Sequence, residues 1–378
     1  MADSQKRVVI CGGGIIGASI AYYLSQRGVA ATIVEREGVA CAASGKAGGF
    51  LAKTWNDSSP VGPLTRLSYQ LHAELAEEFG AGAIGYRAVT TLQVVGLEAG
   101  AQSAKPRGAK VLPSWVDGNV QMAGELAGPS VTAQVHPRLL TQALVDAAIA
   151  GGAQLVKGTV ESLEMADDDG RVTGVLVDGS LLPADIAVIA MGPWSGAAAG
   201  WLRGKYDGAA LDITGTKYHS AVLTADVTAH CLFTSFTYAN GQNTEPEVYP
   251  RPDGTVYVCG EPQSVPLPQE GPAGVTVDNA LVERIMAVAG SLASGLKGAP
   301  VEAAQACYLP IPPGGGVPVI GPVPGVPGVL VATGHSCWGI LNGPATGKAL
   351  AELIVDGKVS CLPGGLSSFD PALFQGEL

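Results

Sequence analysis

Apolar positions near the start of the chain form a four-residue run, Val8 to Cys11, of the β-branched kind that suits a strand buried on both faces. The spacing then becomes helical from Ala18 to Gln26, and Gly28 follows as a natural C′ residue. A second strand is predicted over Ala31 to Val34. Helical spacing returns over Thr65 to Phe79, through HPRLLTQALVDAAIA, and over Asp278 to Leu296. Residues 328–354 read as a strand, a loop and a helix whose start is marked by Asn342, Gly343 and Pro344. Strand-like alternation fills the rest. It runs through TTLQVVG, through the meander GRVTGVLVDGSLLPADIAVIAMGPWSG with its D-G turn, and through YHSAVLTADV. In EVYPRPDGTVYVCGE the residues Pro252, Asp253 and Gly254 form the turn of a hairpin.

Composition narrows the class. With 378 residues the chain can bury a large core, and 53 glycines with 15% charged residues describe a densely packed globule with many tight turns. The net charge of −11 is scattered, and no basic stripe is present to neutralise phosphates, so nucleic acid is not an expected partner. No apolar window reaches the length of a spanning helix. The longest, Ile186 to Leu202, is interrupted by Gly192, Pro193 and Gly196. The opening MADSQKRVV lacks a signal-peptide core, and a cytoplasmic location is expected. The 7 cysteines include no C-x-x-C pair and suggest neither a disulfide framework nor a metal site.

Between the first strand and helix lies Gly12-x-Gly14-x-x-Gly17. In such a loop the first glycine permits a tight turn, the second lets backbone N–H groups approach a pyrophosphate, and the third lets helix and strand pack closely. Glu35 ends the second strand about 20 residues on, where an acidic side chain accepts both ribose hydroxyls of an adenosine. The loop therefore reads as a dinucleotide site, and Glu35 disfavours a 2′-phosphate, which excludes NADP. NAD and FAD both fit these residues. The glycine-rich stretch CAASGKAGGFLAK, residues 41–53, adds a backbone suited to wrapping a flat group, and the helix near residue 342 offers a positive end to an isoalloxazine. Both favour FAD.

VVICGGGIIG with Glu35, ASGKAGG, HPRLL through AMGPWSG, VYPRPDGTVYVCG, VPVIGPVPG and GHSCWGILNGPATGKALAEL occur in one order across nearly the whole chain. In these pieces the chain resembles the D-amino-acid oxidase superfamily of FAD-dependent oxidoreductases, in its glycine oxidase and sarcosine oxidase branch. GHSCWGILNGPATG is most similar to an uncharacterised eukaryotic group within it. The resemblance implies an α/β (α+β) fold: a Rossmann-like FAD-binding domain from residues 1–85, 135–212 and 305–378, with a mainly antiparallel β substrate domain from 86–134 and 213–304. It implies FAD contacts at Gly12, Gly14, Ile15, Ile16 and Gly17, at Glu35 and Arg36, along Ser44, Gly45, Lys46, Ala47 and Gly48, and at Val160, Gly192 and Trp194. Gly334, His335, Ser336, Gly339, Ile340 and Leu341 would approach the isoalloxazine.

The implied chemistry is oxidation of a carbon–nitrogen bond in a small molecule by hydride transfer to the flavin, with oxygen or another acceptor taking the electrons. Amino-acid oxidases of the superfamily carry an arginine in an LRP motif, and glycine oxidases carry a second in GHxRNGILL. Here those places read Leu309-Pro310 and Cys337. A simple α-amino acid is therefore not the expected substrate. Lys46, Lys53, His335 and Cys337 are the catalytic candidates, and Arg251 is a further basic residue. Non-covalent FAD is expected, the alternative being a thioether at Cys307, close to where sarcosine oxidases attach theirs. The rival functional reading is a non-catalytic FAD-binding protein with a structural or trafficking role.

Overall fold

A computed structural model of the chain describes residues 6–98, 106–202 and 204–374. The segment MADSQ, on which the reading of the chain's start rests, lies outside them. The predicted run Val8–Cys11 is the central strand of a six-stranded sheet, paired in parallel with Ala31–Glu35 on one side and Ile186–Ile189 on the other. Gln154–Lys157 extends one edge, and Val329–Thr333 followed by the antiparallel Val319–Pro322 extends the other. Alternate side chains of the central strand serve two cores. Val8 and Ile10 pack with the opening helix Ile15–Ser25 and its neighbours, while Val9 and Cys11 pack beneath an antiparallel meander, Val160–Met165, Val172–Val177 and Ser180–Pro183. This two-sided burial is why the strand carries no polar residue.

An eight-stranded sheet forms the second layer, ordered Val301–Ile311, Thr214–Thr224, Thr255–Gln263, Glu247–Pro250, His230–Thr237, Thr90–Leu97 and Val120–Ala127, with Asn243–Thr244 alongside His230–Thr237. Its pairs are antiparallel except that between His230–Thr237 and Thr90–Leu97. The strand Val301–Ile311 runs through the 304/305 boundary expected from sequence. One face of the sheet packs on the helix Asn279–Leu292, whose N-cap Asp278 accepts the Ala280 and Leu281 N–H groups. The opposite face presents Phe233, Tyr249 and Tyr257 to Phe50 and Trp55, which follow the glycine-rich loop. The sheet thus closes over the glycine-rich loop, with the cavity described below at the junction.

The loop 41–53 and the closing helix differ most from the sequence reading. The loop 41–53 contains a single helical turn, Ala43–Lys46. The closing helix begins at Gly339, not at 342–344, and runs to Asp356 with Pro344 inside it. Proline lacks the N–H that would reach the carbonyl four residues back, here that of Ile340. His72 of the helix Gly62–Phe79 supplies the missing donor, its Nε2 lying 3.0 Å from the Ile340 oxygen. Ser68 Oγ, on the same helix, accepts the Ala345 N–H. Among the described residues no helix is long and apolar enough to cross a membrane.

Candidate functional site

A cavity of about 520 Å³ runs along the carboxyl end of the six-stranded sheet, from Glu35, Arg36 and Val160 past the glycine loop to Leu309, Pro310 and the start of the closing helix. Crevices at this place in open α/β sheets are where ligands bind. Gly12 has φ +115°, and a Cβ there would lie 2.4 Å from the Ala190 carbonyl oxygen, so the turn admits only glycine. The opening helix has no acidic residue in its first turn and no side-chain cap, which leaves its positive end open towards the cavity. Ser44 Oγ steadies that turn by accepting the Ile15 N–H at 2.9 Å. At the far wall Glu35 is fixed by two backbone donors, Gly13 N–H at 2.7 Å and Glu37 N–H at 3.0 Å. A diphosphate at a helix end free of acidic residues, flanked by a held carboxylate, is the ligand chemistry this cradle fits.

A strap contributed by the eight-stranded sheet crosses the cavity, and the sequence reading did not foresee it. Leu267, Pro268, Gln269, Gly271 and Pro272 line the wall from this side. Trp194 Nε1 donates to the Pro268 carbonyl at 2.9 Å, Tyr308 Oη to that of Pro266 at 2.9 Å, and the Ala273 N–H to Glu37 Oε1 at 2.8 Å. The run PLPQEGPAG reads as an ordinary Pro/Gly-rich connection, and nothing local says where such a loop lands.

At the opposite end His335 is buried, with Nε2 at 3.0 Å from Thr346 Oγ1 and Nδ1 unpartnered among the described residues. Burial pushes its pKa down to about 3, so the ring is neutral. Cys337 lies on the wall, its thiol pushed up by desolvation and by the charge of Glu247. The closing helix starts here, again without an acidic residue or side-chain cap in its first turn.

Most of the expected cofactor residues line the cavity: Gly12, Gly14, Ile15, Ile16, Glu35, Arg36, Ser44, Ala47, Val160, Gly192, Trp194, His335, Ser336, Gly339 and Ile340. Others are placed behind it. Gly17 packs the helix on its strand, where a Cβ would lie 2.0 Å from the Gly12 oxygen. Gly45, Gly48 and Gly334 are pressed against the Ala40 carbonyl, Tyr249 and Pro312 respectively, and Leu341 is fully buried in the core. Lys46 turns towards the eight-stranded sheet, donating through Nζ to the Ala306 carbonyl at 3.2 Å. Lys53 lies off the wall, its backbone N–H donating to Val131 O at 2.9 Å. Arg251 is buried against Tyr257, 5.3 Å from the ring, and donates to the Ala47 carbonyl at 3.2 Å.

The chain matches the DAO family, described as FAD dependent oxidoreductase, over residues 7–353. A Schizosaccharomyces pombe protein named only as an oxidoreductase is 34% identical over 385 residues, covering 95% of this chain and 96% of its own. The glycine oxidase of Pseudomonas putida is 27% identical, covering 99% of each chain. The crystal structure of glycine oxidase from Geobacillus kaustophilus superimposes with a TM-score of 0.76 at 23% identity, covering 99% of each chain.

Proposed function

We propose, for a chain that belongs to the DAO family of FAD-dependent oxidoreductases, that its reaction is the oxidation of a carbon–nitrogen bond in a small amine or amine-like metabolite other than a simple α-amino acid. The observation that carries this reading is the charge of the cavity wall. Among the described residues that line it, the one permanent cation is Arg36, which sits beside Glu35 at the end away from the closing helix. Leu309, Pro310 and Cys337 occupy the wall at the other end. Holding an α-carboxylate in one orientation calls for the fork of a guanidinium, and a lost partner costs about 2–5 kcal/mol, or a factor of roughly 30 to 4,000 in affinity.

FAD, when bound, supplies the acceptor for a hydride leaving the carbon next to nitrogen. The chain's own residues do the rest. Backbone groups of Gly14 and Ile16 and the end of the opening helix would hold the diphosphate, and Glu35 would hold a ribose. The uncapped start of the closing helix supports negative charge at the other end of the cavity. A substrate amine bound in its neutral form needs no strong base, and the imine produced is hydrolysed by water. The absent arginines also favour a second reading, a FAD-binding protein without turnover.

Anaerobic mixing of the holoenzyme with a panel of primary, secondary and cyclic amines separates the two. Bleaching of the flavin's visible absorption is expected with at least one carboxylate-free amine, and its absence with all of them supports the non-catalytic reading. Glycine, sarcosine and D-alanine are expected to stay well below a kcat/KM of about 10⁴ M⁻¹s⁻¹, within the ordinary enzymatic range. Turnover of any of the three at that level overturns the substrate assignment.

A further inference from the structure

Glu247 lies on the strand Glu247–Pro250 of the eight-stranded sheet, and successive side chains of a strand point to opposite faces. Val248 joins the core beneath the helix Asn279–Leu292, which puts Glu247 with Tyr249 on the face that closes over the nucleotide loop. Tyr249 stacks on Phe50 and meets Phe233, which in turn meets Trp55, and Trp55 reaches Trp338 with ring centroids 6.3 Å apart. Trp338 is the neighbour of Cys337 on the cavity wall. A carboxyl group and a continuous aromatic cluster therefore stand together next to the closing-helix end of the cavity, beside its lining residue Cys337.

The surroundings of this carboxyl are unusual. Its Oε2 accepts the Tyr249 hydroxyl at 2.6 Å and the Cys259 thiol at 3.6 Å. Oε1 accepts no hydrogen bond among the described residues, and no lysine, arginine or histidine among them forms an ion pair with it. The other carboxylate whose charge reaches it, Glu245, has the same sign. Desolvation raises its pKa, and its charge is felt at Cys337 and at Tyr218. Carboxylates withdrawn from water are ordinarily paired with a cation or heavily hydrogen-bonded, and this half-buried one has no cation.

We infer that Glu247 is a specificity-determining residue that receives the nitrogen of a substrate amine, and that the substrate class is a carboxylate-free amine whose carbon skeleton lies on the aromatic surface of Phe233, Trp55 and Trp338. An ammonium group there meets both a carboxylate and the faces of aromatic rings, each of which attracts a cation, and it passes its proton to that carboxylate before the neutral amine is oxidised. A substrate carboxylate would meet a like charge with no cation to screen it. The assignment rests on the reading of the site as one for carbon–nitrogen oxidation, and it names the side of the molecule that is recognised.

The test measures binding without turnover. The probe is 2-phenylpropan-2-amine, whose carbon next to nitrogen has no hydrogen to lose, and its partner is the equally shaped carboxylate 2-methyl-2-phenylpropanoate. Each is titrated into holoenzyme while the flavin absorption spectrum is followed. Wild-type protein is expected to bind the amine at least about tenfold more tightly than the carboxylate, and Glu247→Gln to lose about tenfold or more for the amine alone. Glu247→Asp, which keeps the charge, is expected to fall between them. Equal or tighter binding of the carboxylate by wild type, or unchanged amine affinity in a Glu247→Gln variant that still holds FAD, overturns the assignment. Because the probe is never oxidised, a failure to find a turned-over amine leaves this result standing, and the reverse also holds.

Discussion

His72 Nε2 hydrogen-bonds the carbonyl of Ile340, the acceptor that Pro344 leaves without a partner inside the closing helix. The two residues are 268 positions apart, and the contact fixes the turn of helix that lines the far end of the cavity.

Removing that donor is expected to destabilise the fold. His72→Ala leaves a buried carbonyl unpaired, a loss of about 1–3 kcal/mol, with the unfilled ring volume added to it. Urea unfolding of holoprotein measures the difference. The same residue gives stability a pH dependence. Burial lowers the His72 pKa from 6.5 to about 4 and that of His335 to about 3. Both rings are neutral in the folded and unfolded chain above pH 6.5. Below it the unfolded chain binds protons that the folded chain refuses, so stability falls as pH drops from 6.5 towards 4. Each histidine accounts for up to about 1.4 kcal/mol per pH unit. His72→Gln is expected to flatten the slope by one histidine's share, and an unchanged slope would show that the ring is not held neutral.

Gly14 faces Ser44, and a Cβ there would lie 3.0 Å from Ser44 Oγ, the atom that holds the Ile15 N–H. Gly14→Val is therefore expected to push the first turn of the opening helix out of line with a diphosphate and to weaken FAD by at least about tenfold. The ratio of flavin to protein absorbance after desalting reads this out, with circular dichroism as the control for folding. Full flavin retention would count against assigning this loop to the diphosphate.

Cys307 sits on the strand Val301–Ile311, and burial pushes its thiol up to about 11. A thiolate is the reactive form, and at neutral pH this residue holds about one part in 10⁴ of it. Acid precipitation is expected to leave the yellow colour in the supernatant, and Cys307→Ser to keep its flavin. Colour carried down with wild-type protein but not with the variant would establish a thioether.

The opening strand, loop and Glu35 were legible because each is set by neighbours close in sequence: a β-branched run, a turn that only glycine permits, and a helix of regular period. The closing helix was legible in kind but not in extent. Asn342, Gly343 and Pro344 carry the local marks of a helix start, and what overrides them is His72, which no window around residue 342 contains. The strap over the cavity was invisible for a related reason, since its position depends on Trp194, Tyr308 and Glu37, drawn from three distant parts of the chain. Lys46 shows the limit for side chains. Its loop lines the cavity through Ser44 and Ala47, yet its ammonium turns to the Ala306 carbonyl of the other sheet.

The strap also bears on the order of events in a growing chain. The cradle opens with Gly12 and is completed by Ile340, and residues 264–274 must be laid across it between those two additions. On the ribosome the glycine loop is made long before its far wall. A nascent chain released early exposes the apolar strand Val8–Cys11 without Ile186–Ile189 to pair it, and offers FAD only part of a seat. Complete loading follows synthesis of Ile340, and a ligand that binds only the finished cradle then draws the population towards it by mass action. Cellular riboflavin supply should accordingly set the abundance of this protein as well as its colour.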